Sequence, residues 1–364
     1  MMRESDHDRS GLWSALLAAL FFGISTPLAK ALLVEIPPEI LAGLFYLGSG
    51  IGLTFLNFVF RTKPIVHEAP LTRADAPWLS GAVIFGGILA PILLLTGLQQ
   101  TAAVNTSLLL NLEGVFTVIL AWGIFHENAN RKLVLGVGAI LSGSVLLAWR
   151  GIGSATDLAG PAAIAIACFC WGIDNNLTQR ISAGDPVQIS AIKGLVAGTV
   201  NLSLGLWLLK PWPSFVWAAD ALVIGFLSYG LSIMFFVRAL RSLGTARTGA
   251  YFSAAPFIGA IMSVVILQET VTLSLIAASV AMIVGVWFLL SEKHAHIHIH
   301  QSLVHSHRHI HDEHHQHKHG PHDTSSEPHV HLHEHAQLTH SHSHTPDIHH
   351  RHLHKKHEPT RDKQ

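Results

Sequence analysis

The sequence predicts an all-α membrane protein: ten transmembrane helices arranged as two inverted five-helix repeats, followed by a disordered histidine-rich tail. Three observations carry that prediction. Ten hydrophobic stretches fill Gly11 to Leu290, and each reaches the roughly 18 to 25 residues needed to cross a hydrocarbon core. The two halves of this region align with each other. Behind it, residues 291–364 hold 25 of the 28 histidines, all but His7, His67 and His126. The mean hydropathy of +0.40 therefore averages two unlike parts.

The predicted spans are 11–34, 38–60, 77–98, 104–125, 132–149, 159–179, 187–209, 215–239, 246–267 and 272–290. The first is longer than the hydrophobic region of a signal peptide and nine more follow, so it reads as a retained helix. Ten spans put both termini on one side. With the N-terminus inside, the cytoplasmic segments hold Arg3, Arg9, Arg61, Lys63, Arg73, Arg131, Lys132, Arg180, Arg238, Arg241 and Arg247, against Lys30, Arg150 and Lys210 outside. Eleven against three places both termini in the cytoplasm of a multi-pass protein of the inner or plasma membrane.

Placing Glu127 on Glu269 aligns "GLQQTAAVNTSLLLNLEGVFTVILAWGIFHE" (97–127) with "ALRSLGTARTGAYFSAAPFIGAIMSVVILQE" (239–269) without a gap. The same shift of 142 puts Gly143 on Gly285, and "FGISTPLAK" (22–30) falls on "WGIDNNLTQ" (171–179) at a shift of 149. Five spans per half is odd, so the second half enters from the opposite face, and a binding site is expected near the midplane between the halves. The domains expected are 11–149, 159–290 and the tail 291–364.

The stretches "FFGISTPLAKAL", "LLLNLEGVFTVILAWGIFHE" and "PFIGAIMSVVILQE" resemble the EamA family of the drug/metabolite transporter superfamily. The resemblance covers residues 11–290 and leaves the tail unaccounted for. It implies two EamA repeats and a secondary transporter that works by alternating access, driven by an ion gradient and most often exporting small metabolites.

A charge at the centre of a transmembrane helix costs about 2.5 to 3.5 kcal/mol on insertion scales, so each needs a reason. Glu113 lies mid-span, with Thr106, Leu110 and Thr117 on its face. It reads either as a protonatable carboxylate lining a cavity or as a structural carboxylate pairing helices. Asp174 and Lys193, on consecutive antiparallel spans, read as a static ion pair near the inner gate or as a gate that makes and breaks. Cys170 and Asp174 are four apart and could begin a metal site, although buried cysteines are usually small hydrophobes. Asn111 and Tyr251, with Trp171 and Asn105, are solute-contact candidates or interhelical hydrogen-bonding groups. Glu127 and Glu269 end their spans, where a helix-terminal role is expected. Gly23 with Pro27, Pro91 and Pro256 interrupt helices and can expose backbone groups to a cavity. No nucleophile with a base, phosphate loop or dinucleotide fingerprint occurs, which argues against an enzyme. The zero formal charge gives no reason to expect nucleic acid, and two cysteines make no disulfide framework.

In the tail, His294, His296, His298, His300, His305, His307, His309, His311, His314, His315, His317 and His319 lead the candidate metal ligands, since imidazole suits zinc, copper and nickel; zinc, nickel or cobalt is the metal expected there. The biased composition cannot build a packed core, hence the expected disorder. A solubilising or pH-responsive tail is the other reading. No cofactor is required; divalent metal on the tail is the one added ion. Partners expected are the lipid bilayer and a small-molecule or ion substrate, with a homodimer left open. Three functions follow: a small-solute exporter with a metal-binding cytoplasmic tail, a divalent-metal (nickel, cobalt, zinc) efflux transporter, or a non-transporting membrane-anchored metal store, which the inverted repeats and buried charges argue against.

Overall fold

Long apolar runs satisfy their backbone in oil as helices, and among the described residues helices account for all of the regular structure ahead of residue 291. The computed structural model describes residues 2–60, 71–125, 131–148, 158–181, 185–236, 238–239, 248, 251–290, 294–300, 303–309, 329–335 and 338–344. In order come α1 (Met2–Leu32), α2 (Pro38–Phe60), a 3-10 turn (Arg73–Asp75), α3 (Ala76–Ala82) and, through a π-helical segment Val83–Leu89, α4 (Ala90–Gln100). Then follow α5 (Ala103–Leu109), α6 (Asn111–Phe125), α7 (Arg131–Ala148), α8 (Ala159–Ile181), α9 (Pro186–Trp207) and α10 (Phe215–Gly225), which runs into a second π-helical segment, Phe226–Leu231. The body ends with α11 (Ala255–Leu267) and α12 (Leu273–Leu290). Among the described residues, six helical runs are long and apolar enough to cross a membrane, and three shorter apolar helices accompany them. This is a multi-pass membrane protein.

Local chemistry sets the helix ends. Pro186 opens α9, where its missing N–H is no loss, and Asp185 ahead of it accepts from the Val187 N–H at 2.9 Å. Gln268, in the left-handed region at φ 54°, stops α11.

Among the described residues, two predicted spans are broken. Span four parts at Leu110 into α5 and α6, and span nine has a turn at 253–254 ahead of α11. Pro256, in the first turn of α11, accounts for the second break, because it has no N–H to offer the carbonyl of Phe252 four residues back.

The packing pairs α2 with α9, α7 with α12, α1 with α11, α6 with α8, and α3 and α4 with α8; α2 also lies against α10 and its π segment. Small residues let α2 and α9 meet at backbone distance: a Cβ on Gly50 would lie 2.6 Å from the Leu195 nitrogen. One buried apolar cluster joins Leu108, Val115, Ile140, Ile164 and Met282; a second joins Leu32, Ile36, Ile40, Leu41, Leu98 and Ala221.

The tail departs from expectation. Instead of disorder throughout, four strands are described: β1 (His294–His300), β2 (Leu303–His309), β3 (His329–His335) and β4 (Leu338–His344). β1 pairs antiparallel with β4 and β2 with β3, as two separate two-stranded ladders. Low hydrophobicity rules out a packed core, but local pairing needs none. Alternation with Ile297, Ile299, Val304 and Val330 supplies the period of two and the β-branched content that strands favour.

Candidate functional site

The site begins with a proline. The carbonyl of Gly87 would bond the N–H four residues on, but that residue is Pro91, which has none. In the π segment the Ala90 N–H goes to Phe85 rather than to Gly86. The carbonyls of Gly86 and Gly87 are thereby freed inside the protein, where unpaired groups are costly. Side chains from three other helices take them. Tyr46 Oη donates to Gly86 O at 2.7 Å, Trp171 Nε1 to the same oxygen at 3.0 Å, and Asn201 Nδ2 to Gly87 O at 2.9 Å. One proline thus ties α2, α8 and α9 to a single turn.

That turn receives the buried charges. A Cβ on Gly86 would overlap the carboxylate of Asp174, so glycine is what lets Asp174 sit against this backbone. Lys193 Nζ donates to both Asp174 oxygens, at 2.6 and 2.7 Å, and Thr178 Oγ1 adds a bond of 2.8 Å. The structure therefore brings Asp174 and Lys193 together as a bidentate pair, with side-chain exposures of only 9% and 17%.

Glu113 joins from the other side. It stands in the first turn of α6, just past the break at Leu110, where its own N–H bonds to the Leu110 carbonyl at 3.0 Å. Asn175 Nδ2 donates to Glu113 Oε1 at 2.9 Å and also reaches Thr117 Oγ1 at 3.2 Å, while Thr117 Oγ1 donates to the Glu113 carbonyl at 2.8 Å. Asn175 adjoins Asp174, so Glu113 is linked through one amide side chain to the residue beside the ion pair. A Cβ on Gly114 would meet nothing within 4 Å, which marks open space beside Glu113.

Two candidates lie apart from this cluster. Asn111 is buried and donates to Leu108 O at 2.8 Å, with Met282 Sδ at 3.9 Å, so its amide serves the break between α5 and α6. Tyr251 lies at the 253–254 turn, where its carbonyl accepts from the Ala254 N–H at 3.2 Å. Cys170 and Asp174 gain no further metal ligand: among the described residues, no group of three His, Cys, Asp or Glu could hold an ion. His294, His296, His298, His300, His305, His307 and His309 lie on β1 and β2, whereas His311, His314, His315, His317 and His319 lie outside the described residues. Glu269 meets another helix start, accepting from Ala103 N at 2.8 Å and Val104 N at 2.7 Å; Glu127 lies outside the described residues.

Sequence reasoning missed Asn175, Tyr46 and Asn201. The run "DNN" (174–176) in an apolar helix was a signal for the first. "GGILAP" (86–91) announced freed carbonyls, but nothing local to Tyr46 or Asn201 names their partner.

The EamA-like transporter family matches the chain twice, over residues 9–149 and 158–291. The chain is 31% identical over 293 residues to an uncharacterized transporter of Methanothermobacter thermautotrophicus, covering 77% of this chain and 85% of that one. It is 22% identical over 303 residues to the uncharacterized transporter YvbV of Bacillus subtilis, covering 81% and 95%. A solved structure titled "Crystal structure of protein" shares the fold with a TM-score of 0.57 at 18% identity, over 76% of this chain and 95% of that one. Two matched segments that together span most of the chain, and a relative of this extent, make it a member of the EamA-like transporter family.

Proposed function

We propose that the chain is a secondary transporter that exports small solutes by alternating access, with Glu113 as the group that exchanges protons and the Asp174–Lys193 pair as the switchable charge beside it. The observation that carries this is the linked set Glu113, Asn175, Asp174 and Lys193, gathered where one helix is broken and another is widened to a π turn. Half-helix ends and intramembrane charges at one place are how transporters hold and release polar cargo.

Two inverted repeats and a ten-span layout are part of the proposal. The shift of 142 that aligns the halves carries the π segment Val83–Leu89 onto 225–231, over the second π segment. It also carries the break at Leu110 to 252, beside the turn at 253–254. The packing pairs follow a two-fold pattern: α2 with α9 and α7 with α12 pair equivalent spans, and α1 with α11 mirrors α8 with α6. Both termini are placed in the cytoplasm on the loop charges alone.

The tail is proposed to bind zinc, nickel or cobalt. The ladder registers support this: His294, His296 and His298 stand opposite His344, His342 and His340, and His305, His307 and His309 opposite His333, His331 and His329. Directly opposed residues sit about 4.5 to 5.5 Å apart at Cβ, within the span that two imidazoles on one ion require.

Uptake of a panel of radiolabelled amino acids and small metabolites into energised inverted vesicles tests the function. Accumulation of at least one member, abolished by a protonophore, is expected. Accumulation only in right-side-out vesicles would reverse the direction.

A further inference from the structure

At one end of the body the loop joining α4 to α5 is held by two charges from elsewhere in the chain. Lys30 of α1 donates to the carbonyls of Leu98, Gln99 (3.1 Å) and Thr101 (2.9 Å). Glu269, two residues past α11, accepts with one oxygen from Ala103 N (2.8 Å) and with the other from Val104 N (2.7 Å). A helix leaves its last carbonyls and first N–H groups without partners. Here an ammonium closes one helix and a carboxylate opens the next, each of the sign that suits its end.

The carboxylate crosses between units. Ala103 and Val104 belong to the first family-matched segment and Glu269 to the second. Below this contact α11 packs against α5 and α1 with no gap: a Cβ on Gly259 would lie 2.8 Å from Gly23 O and 2.9 Å from Ser107 Oγ. Ser107 is fully buried there. Beside the contact is a cavity of about 300 Å³ whose lining includes Asn105, Glu269, Thr270 and Thr272, so polar groups wait next to the closed seam.

We infer that Glu269 is the latch of this end of the transport path. Its carboxylate must leave the Ala103 and Val104 N–H groups before α11 can part from α5, and the conformation described is the latched one. A carboxylate that only finished its own helix would not need to reach the other segment. This rests on the alternating-access reading, since a latch matters only if the two segments separate.

The test reads opening without needing a substrate. Ser107→Cys is introduced with Cys168→Ala and Cys170→Ala, and its labelling by a membrane-impermeant maleimide is followed in intact cells and in inverted vesicles, which covers either orientation. Glu269→Gln keeps the size but loses the charge and turns one acceptor into a donor facing an N–H. Labelling of the thiol that Ser107→Cys supplies, from the Glu269 side, should rise about tenfold or more, the factor that loss of one charge-assisted hydrogen bond implies. An unchanged rate in folded Glu269→Gln overturns the latch. If that variant does not yield monodisperse protein, Lys30→Gln, which frees the other side of the same loop, is read by the same rate and against the same two outcomes. Faster labelling with intact solute coupling through Glu113 and its converse are separable results, so the latch and the transport reading can fail independently.

Discussion

The charges around Asp174 and those at the Glu269 end are both engaged by the protein, but by different kinds of partner. Asp174 binds Lys193, and Glu113 binds Asn175, side chain to side chain. Lys30 and Glu269 bind backbone carbonyls and N–H groups. A proton or a polar solute can replace one member of a side-chain pair without moving a helix. A carboxylate seated on two backbone N–H groups leaves only when the chain carrying those groups moves. The first region is suited to binding and exchange, the second to closure.

The sharpest way to break this comparison is to orphan the pair. Lys193→Met leaves a buried carboxylate without its counter-charge and should cost about 3–5 kcal/mol in an unfolding titration, while Asp174→Asn/Lys193→Met should recover most of that loss. A double variant as unstable as the single one would mean that Asp174 is not held chiefly by Lys193.

Next comes the close fit at Gly86. Gly86→Ala pushes a methyl group into the Asp174 carboxylate and should destabilise by about 1–3 kcal/mol. Gly114→Ala, in open space on a helix, should be neutral or stabilise by about 0.5–1 kcal/mol. Equal losses at the two glycines, measured by thermal unfolding in detergent, would show that the packing around Asp174 is not what demands glycine.

Smallest for the body is loss of the tail. Deleting residues after Lys293 should leave body unfolding unchanged, because among the described residues the strands pair only with each other. Nickel binding sharpens the point. Replacing the histidines of β1 with Ala and those of β4 with Ala should each remove the same ions, so that the double set loses no more than either single set. Simple additivity would indicate an unpaired brush. Binding should weaken as pH falls through about 6 to 7, because imidazole must lose its proton to ligate.

Much of this was legible in the sequence because membrane folding writes large signals. Long apolar runs announce the helices, and a charge in such a run announces a partner, so Asp174 and Lys193 stood out as one pair. The breaks were harder to read. Pro256 sits beside one, but "LLLNLEG" around Leu110 contains neither proline nor an early glycine to announce the other. Tyr46 and Asn201 were illegible as site residues because their partners are carbonyls freed by a proline on a different span. Glu269 was legible as a helix-terminal group, but that the helix belongs to the other segment is a fact of packing. The tail's strands were hidden by a composition argument that addresses cores and is silent on local ladders.

The most direct measurement of the central claim is gradient-driven accumulation by Glu113→Gln in inverted vesicles, using whichever panel solute the unaltered protein accumulates. The variant keeps a group that can accept from Asn175 but cannot exchange a proton. It should insert at normal levels and accumulate no solute above the protonophore control. Accumulation to the same level with the same dependence on pH would contradict the role given to Glu113 and, with it, the reading of this cluster as the coupling site.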